Sequence, residues 1–146
     1  MENKKELDLI IWGATGFTGQ LVCEYINKIY SSSNLRWGIA GRNKEKISDI
    51  GKNLKIGNDK IFIADSNDLE SLIKLTSKTK VICTTVGPYA KYGTNLIEAC
   101  IKTGTNYCDI TGETQWIRQI INKYHSSAIE KKIKIINSCG FDSIPS

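Results

Sequence analysis

Strand-like and helix-like segments alternate along this chain of 146 residues. That alternation predicts an α/β fold: a doubly wound, mostly parallel sheet of about six strands with helices on both faces. Two further observations support it. A glycine-rich turn, Gly13-Ala14-Thr15-Gly16-Phe17-Thr18-Gly19, stands between the first apolar run and the first helical pattern. The length suits one domain of ordinary size, and a composition 40% hydrophobic and 24% charged is that of a globular chain.

The elements follow in order. Residues 7–12, Leu-Asp-Leu-Ile-Ile-Trp, read as the first strand. Phe17, Leu21, Val22, Tyr25, Ile26 and Ile29 then recur at helical spacing. After a serine-rich loop at 31–34, residues 35–40 read as a second strand, and 43–54 carry Ile47, Ile50 and Leu54 on one helical face. A third strand at 60–64 ends at Asp65, a short helix covers 68–76, and a fourth strand at 80–86 is stopped by Gly87-Pro88. Residues 93–103 form a helix burying Leu96, Ile97 and Cys100, and 105–110 form a fifth strand. The longest helix, 113–132, carries an apolar stripe of Trp116, Ile117, Ile120, Ile121, Tyr124 and Ala128. A sixth strand is expected over 133–138. Right-handed crossovers then place the ligand crevice at the carboxyl ends of the strands.

The net charge is +5. The lysines are scattered and no block interleaves them with aromatics, so the charge reads as a solvated surface and not as a nucleic-acid face. A mild positive field also favours a phosphorylated ligand. The five cysteines are odd in number, show no Cys-x-x-Cys spacing and sit mostly in apolar segments. Free thiols in a reducing compartment are expected, without disulfides or a zinc site. The one histidine, His125, has no ligand partner nearby in sequence. The first six residues lack the apolar core of a signal peptide, and no apolar run reaches membrane-spanning length. The expectation is a cytoplasmic protein, with peripheral membrane association left open and a homodimer compatible.

The turn at 13–19 carries the chemistry. Strand, glycine turn and helix in that order make a phosphate cradle. Glycine tolerates the positive φ of a tight turn. It also lets the backbone approach a diphosphate closely. The helix start presents N–H groups and the positive end of its dipole to the anion. The spacing is Gly-x-x-Gly-x-x-Gly, which suits a dinucleotide turn in a Rossmann-type sheet. Gly41 and Arg42 end the second strand, where such a fold meets the adenosine ribose. An acidic residue there would favour NAD; Arg42, with Lys44 nearby, suits a 2′-phosphate, so NADP is expected.

Other positions leave alternatives open. Asp65 either accepts from the adenine amino group or caps the following helix. Val86, Gly87 and Pro88, with Tyr89, contact the nicotinamide half of the cofactor or simply make a rigid turn. Asp109 and Glu113, near Thr111 and Gly112, do acid–base work or bind a polar substrate, or else Thr111 caps the following helix with Glu113 in its first turn. None of the six tyrosines stands four residues before a lysine, so a self-contained short-chain dehydrogenase is not expected.

Six phrases in sequence order carry a family resemblance: Trp-Gly-Ala-Thr-Gly-Phe-Thr-Gly at 12–19, Ala-Gly-Arg at 40–42, Thr-Val-Gly-Pro-Tyr at 85–89, Tyr-Gly at 92–93, Tyr-Cys-Asp-Ile-Thr-Gly-Glu at 107–113 and Cys-Gly-Phe-Asp-Ser-Ile-Pro-Ser at 139–146. Over essentially its whole length the chain resembles the NADP-binding domain of saccharopine dehydrogenase-like oxidoreductases, a group that includes trans-acting enoyl reductases of lipid synthesis. The resemblance implies that residues 1–146 form the cofactor domain and that a second, substrate-closing α/β domain is absent. It implies cofactor-binding roles for 13–19 and Arg42, and for 86–89. It implies hydride transfer from NADPH to a small or lipid-linked substrate, an enoyl group or an imine. Catalytic residues do not carry over, and the chain alone is not expected to be active. A non-catalytic NADPH-binding or redox-sensing module is the alternative. The tail at 139–146 reads as the end of a fragment or of a detached cofactor domain.

Overall fold

A computed structural model describes residues 4–140 of the chain. Its strands are β1 (Leu7–Trp12), β2 (Trp37–Gly41), β3 (Ile61–Ile63), β4 (Thr79–Thr84), β5 (Asn106–Asp109) and β6 (Ile135–Ile136). They form one sheet in the order β3-β2-β1-β4-β5-β6, and every pairing is parallel. The strand order reverses at β1, so the crevice of a doubly wound sheet opens over the carboxyl ends of β1, β2 and β4. Trp12, the last residue of β1, lies beside Ala40 of β2 and Thr84 of β4.

Helices α1 (Phe17–Tyr30) and α2 (Lys44–Asn53) cover one face, where Ile11, Ala14, Cys23, Trp37, Ile39 and Ile47 form a core. Helices α3 (Leu69–Thr76), α5 (Thr94–Thr103) and α6 (Thr114–Lys131) cover the other, packing Leu72, Ile97, Trp116 and Tyr124 against Ile10, Ile82 and Tyr107. A single turn of helix, α4 (Tyr89–Tyr92), precedes α5. It was not expected from the sequence. Tyr89 packs at 5.7 Å from Trp116. Gly93 is required where the chain passes that indole, because a Cβ there would lie 2.6 Å from Trp116 Cζ2.

Two expectations need correction. The sixth strand is two residues, not six. Asn137 and Ser138 leave the ladder to donate to the Asp109 carboxylate, at 2.8 and 2.9 Å, and Ser138 takes φ 63. The apolar pattern of α1 is not one buried stripe. Phe17, Leu21, Tyr25 and Ile29 are exposed, and the helix seats through Gly19 and Cys23, with Val22 and Ile26 half-buried. The tail motif lies outside the described residues from Phe141 onward. No helix among the described residues is long and apolar enough to cross a membrane.

Candidate functional site

A cleft of about 330 Å³ opens at the carboxyl end of the sheet. Its floor is Trp12, Gly13, Thr15 and Gly16; Gly41 and Arg42 close one side, Asp65, Ser66 and Asn67 another, and Thr85, Val86, Gly87 and Tyr92 a third.

The glycines of the first turn have different jobs. Gly13 sits at φ 90, and a Cβ on it would lie 2.6 Å from Val86 Cγ2, so this turn needs glycine for backbone and packing reasons together. A Cβ on Gly19 would collide with the Gly13 carbonyl; the helix can approach β1 only without a side chain there. Gly16 is different. Its backbone is ordinary, at φ −76 and ψ 165, and a Cβ would meet nothing closer than the Gly13 oxygen at 3.5 Å. No contact among the described residues requires a glycine at 16, yet it lines the cleft.

Three groups of this cleft lack internal partners. Gly16 is the N-cap of α1 and offers no side-chain cap, and the first turn carries no acidic residue. By contrast Asn43 caps α2 and Asp68 caps α3. Arg42 is exposed and makes no ion pair among the described residues. Trp12 is 2% exposed, and its Nε1–H has no acceptor among the described residues. An orphaned buried donor costs on the order of 1–3 kcal/mol, and such an orphan in a native structure asks for an unplaced water, ion or ligand. The uncapped amides at the start of α1 and the unpaired guanidinium suit a dinucleotide with an extra phosphate.

The structure brings Gly13, Thr15, Gly16, Gly41, Arg42, Asp65, Val86 and Gly87 to one cleft. Ala14, Phe17, Thr18, Gly19, Lys44 and Pro88 do not line it. Ala14 is fully buried beneath the turn, and the Phe17 ring is 82% exposed. The capping alternative for Asp65 is corrected: α3 is capped by Asp68, which accepts from Glu70 N and Ser71 N, while Asp65 accepts from Asn67 N at 2.8 Å in an Asx turn. Asp109 is 1% exposed and accepts from Tyr107 Oη at 2.6 Å, Thr111 N at 3.0 Å, Asn137 Nδ2 and Ser138 N. Burial and the Asp109 charge raise the Tyr107 phenol well above its usual value. Glu113 accepts from Tyr89 N and from Ala90 N at 3.1 Å; it caps α4 from outside. Both carboxylates thus hold the loops after β4 and β5. Thr111 Oγ1 accepts from Glu113 N at 3.0 Å, a turn contact before α6.

Sequence reasoning missed Trp12, Ser66, Asn67, Thr85 and Tyr92 as lining residues. Position was the available signal for Trp12, Ser66, Asn67 and Thr85, which follow or end strands on the ligand side. Among the described residues no group of His, Cys, Asp or Glu is arranged to hold a metal.

Comparison with known proteins agrees with this geometry. The chain is 39% identical over 147 residues to the trans-acting enoyl reductase of Mycobacterium tuberculosis (strain ATCC 25618 / H37Rv), covering 98% of this chain and 34% of that protein. It is 38% identical to the one from Mycobacterium leprae (strain TN), again over 34% of its length. The chain therefore spans about a third of the curated relatives it matches. Among solved structures it superposes on apo saccharopine dehydrogenase (L-Glu forming) from Saccharomyces cerevisiae with a TM-score of 0.76 at 18% identity, over 94% of this chain and 28% of that one. It superposes on Citrobacter sp. triphenylmethane reductase complexed with NADP(H) at 0.66 and 18%, over 89% and 48%. These likenesses show the fold. Residues 9–136 match the family described as the saccharopine dehydrogenase NADP binding domain, and the chain belongs to that family.

Proposed function

We propose that this chain is the cofactor half of an NADPH-dependent reductase whose substrate carries an activated double bond. The substrate class is suggested by the relatives named as trans-acting enoyl reductases; an imine, as in saccharopine dehydrogenase, is the other reduction of this kind. The remaining two-thirds of the longer relatives' length would supply the domain that closes over the substrate.

Bound NADPH supplies the hydride; the protein binds, orients and excludes water. The uncapped N–H groups of the first turn of α1 hold the diphosphate, while those of Gly13 and Ala14 donate to Ala40 O and that of Gly16 to Gly13 O. Arg42 pairs with the 2′-phosphate through charge-assisted hydrogen bonds. Val86 and Gly87 border the path toward the nicotinamide, with their loop anchored by Glu113 on the α4 amides. The observation that carries the proposal is Gly16, a cleft glycine that no internal contact demands.

Calorimetric titration of the chain with NADPH and NADH tests it. Micromolar binding, with NADPH at least about tenfold tighter, is expected from one charge-assisted phosphate contact. Equal affinity would remove Arg42 from the reading, and no binding to either would remove the reading itself. In a protein of the relatives' full length, deuterium from C4-labelled NADPH should appear on the reduced carbon.

A further inference from the structure

Resting on the nucleotide-binding reading above, we infer that Asn95 is a positioning residue: it holds the Asp65–Asn67 wall of the cleft in the shape that receives the adenosine half of the nucleotide. Asn95 stands in the first turn of α5, and its Nδ2 donates to Ser66 O at 2.9 Å across 29 residues of sequence. Asn95 does not itself line the cleft, whereas Asp65, Ser66 and Asn67 do. Tyr92, just before the start of α5, lines the cleft as well. One hydrogen bond therefore ties together two walls that come from separate segments: the loop after β3 and the corner between α4 and α5.

The rest of this loop is fastened locally. Ser71 Oγ, on α3, accepts from Asp65 N at 3.0 Å and donates to Asp68 O at 2.9 Å. Asp65 Oδ1 accepts from Asn67 N at 2.8 Å, and Asp68 N donates to Asp65 O at 3.0 Å. Among the described residues, Asn95 is the one side chain that reaches residues 65–67 from beyond the loop and the helix it leads into. Without that bond the Ser66 peptide is free to turn, and the loop must be ordered when a ligand binds, a cost taken from affinity. The bond preserves a fixed array of open polar groups. Asp65 Oδ2, the Ser66 hydroxyl and the Asn67 side-chain amide make no hydrogen bond among the described residues and stand on cleft-lining positions. An acceptor, a hydroxyl and an amide suit the polar edge of a base and a ribose; the diphosphate belongs at the start of α1. The opposite wall is supported in the same manner, since Glu113 reaches the amides of Tyr89 and Ala90 behind Val86 and Gly87. Each wall thus takes its shape from a side chain seated outside the cleft.

The test compares the wild type with Asn95→Leu, which keeps the size of the side chain and removes its donor. Both are titrated with adenosine 2′,5′-bisphosphate, inorganic pyrophosphate and NADPH and followed by nitrogen-15 NMR. Asn95→Leu should bind adenosine bisphosphate and NADPH about fivefold more weakly, the cost of ordering one short segment, and pyrophosphate as the wild type does. The Ser66 and Asn67 amides should be as rigid before binding as after it in the wild type, and mobile until the ligand arrives in Asn95→Leu. Wild-type affinity for adenosine bisphosphate in Asn95→Leu would overturn the inference. So would an equal loss for pyrophosphate, which marks a general defect of the fold and not a role on one wall. Where Asn95→Leu does not fold, the wild type decides. Its Asn95 side-chain amide protons should exchange slowly with water and shift with adenosine bisphosphate but not with pyrophosphate; free exchange, or no shift at saturation, overturns the inference. Failure of the cofactor reading looks different: none of the three probes then moves any amide, while residues 65–67 still lose rigidity in Asn95→Leu.

Discussion

The two ends of the sheet are built on opposite principles. At the amino end polar groups close on one another. Lys5 Nζ donates to Thr103 O at 2.8 Å, Thr76 O at 3.3 Å and Thr105 Oγ1 at 3.2 Å, which places one ammonium on the last carbonyls of both α3 and α5. Thr105 Oγ1 donates to Thr76 O at 2.7 Å, and Thr103 Oγ1 to Thr76 Oγ1 at 2.9 Å. Beside this knot Asp8 accepts from Arg36 and Lys80. At the carboxyl end Asp109 is closed in the same way, but among the described residues the cleft groups stay open: α1 has no side-chain cap and Arg42 no carboxylate, while the buried Trp12 Nε1 has no acceptor. Polar groups that are satisfied internally hold the fold; the unpaired Arg42 and the uncapped start of α1 border the cleft. The contrast separates stability from binding and can be broken from either side.

The largest effect is expected at Gly19, where stability and binding share a requirement. Gly19→Ala forces α1 off the Gly13 carbonyl, so thermal unfolding should show a loss of about 3 kcal/mol from overpacking, with NADPH binding lost in the same protein. Gly16→Ala is its counterpart. Unfolding should move little, since the backbone there suits any residue, while NADPH affinity falls by well over tenfold. Arg42→Ala should weaken NADPH by about 30-fold, about 2 kcal/mol for a charged hydrogen-bonding partner, and leave NADH affinity and melting temperature unchanged. Lys5→Met should do the reverse, lowering stability by about 1.5 kcal/mol as two helix-end carbonyls lose their donor, with NADPH affinity intact.

The smallest effect concerns pH. The Arg36 guanidinium beside Asp8, with help from Lys80, holds its carboxyl well below the ordinary range. A depressed carboxylate contributes stability that is present above the unfolded value of about 3.9 and lost as pH falls toward the folded value. Wild type should therefore melt slightly above Asp8→Asn at pH 7. That gap should close on acidification below pH 4, as read by paired melting curves.

Much of this was legible in the chain. The six strands and the five longer helices stand within a few residues of their sequence positions, because alternation of apolar runs and helical spacing reports burial on both faces directly. The glycine turn was legible for the same reason: strand and helix patterns flank it. What was not legible depended on contacts between segments distant in sequence. Helix α4 exists because Glu113, 24 residues from Tyr89, caps it. β6 stops early because Asp109 draws Asn137 and Ser138 away. The apolar positions of α1 span two neighbouring arcs, and the spacing does not say which arc turns inward; Gly19 against the Gly13 carbonyl decides it. Asp65 was one reading's cap for α3, and only the turn geometry assigns that role to Asp68. Trp12 read as the end of the first strand, and its unpaired nitrogen is visible only once the neighbours are placed.

Amide hydrogen exchange with and without saturating NADPH tests the division between the two ends most directly. The account predicts slowed exchange at residues 13–19, with smaller protection at 41–42 and 85–87 and unchanged exchange at 103–105 beside the Lys5 knot. Unaltered exchange across 13–19 in a protein that has bound NADPH would contradict it.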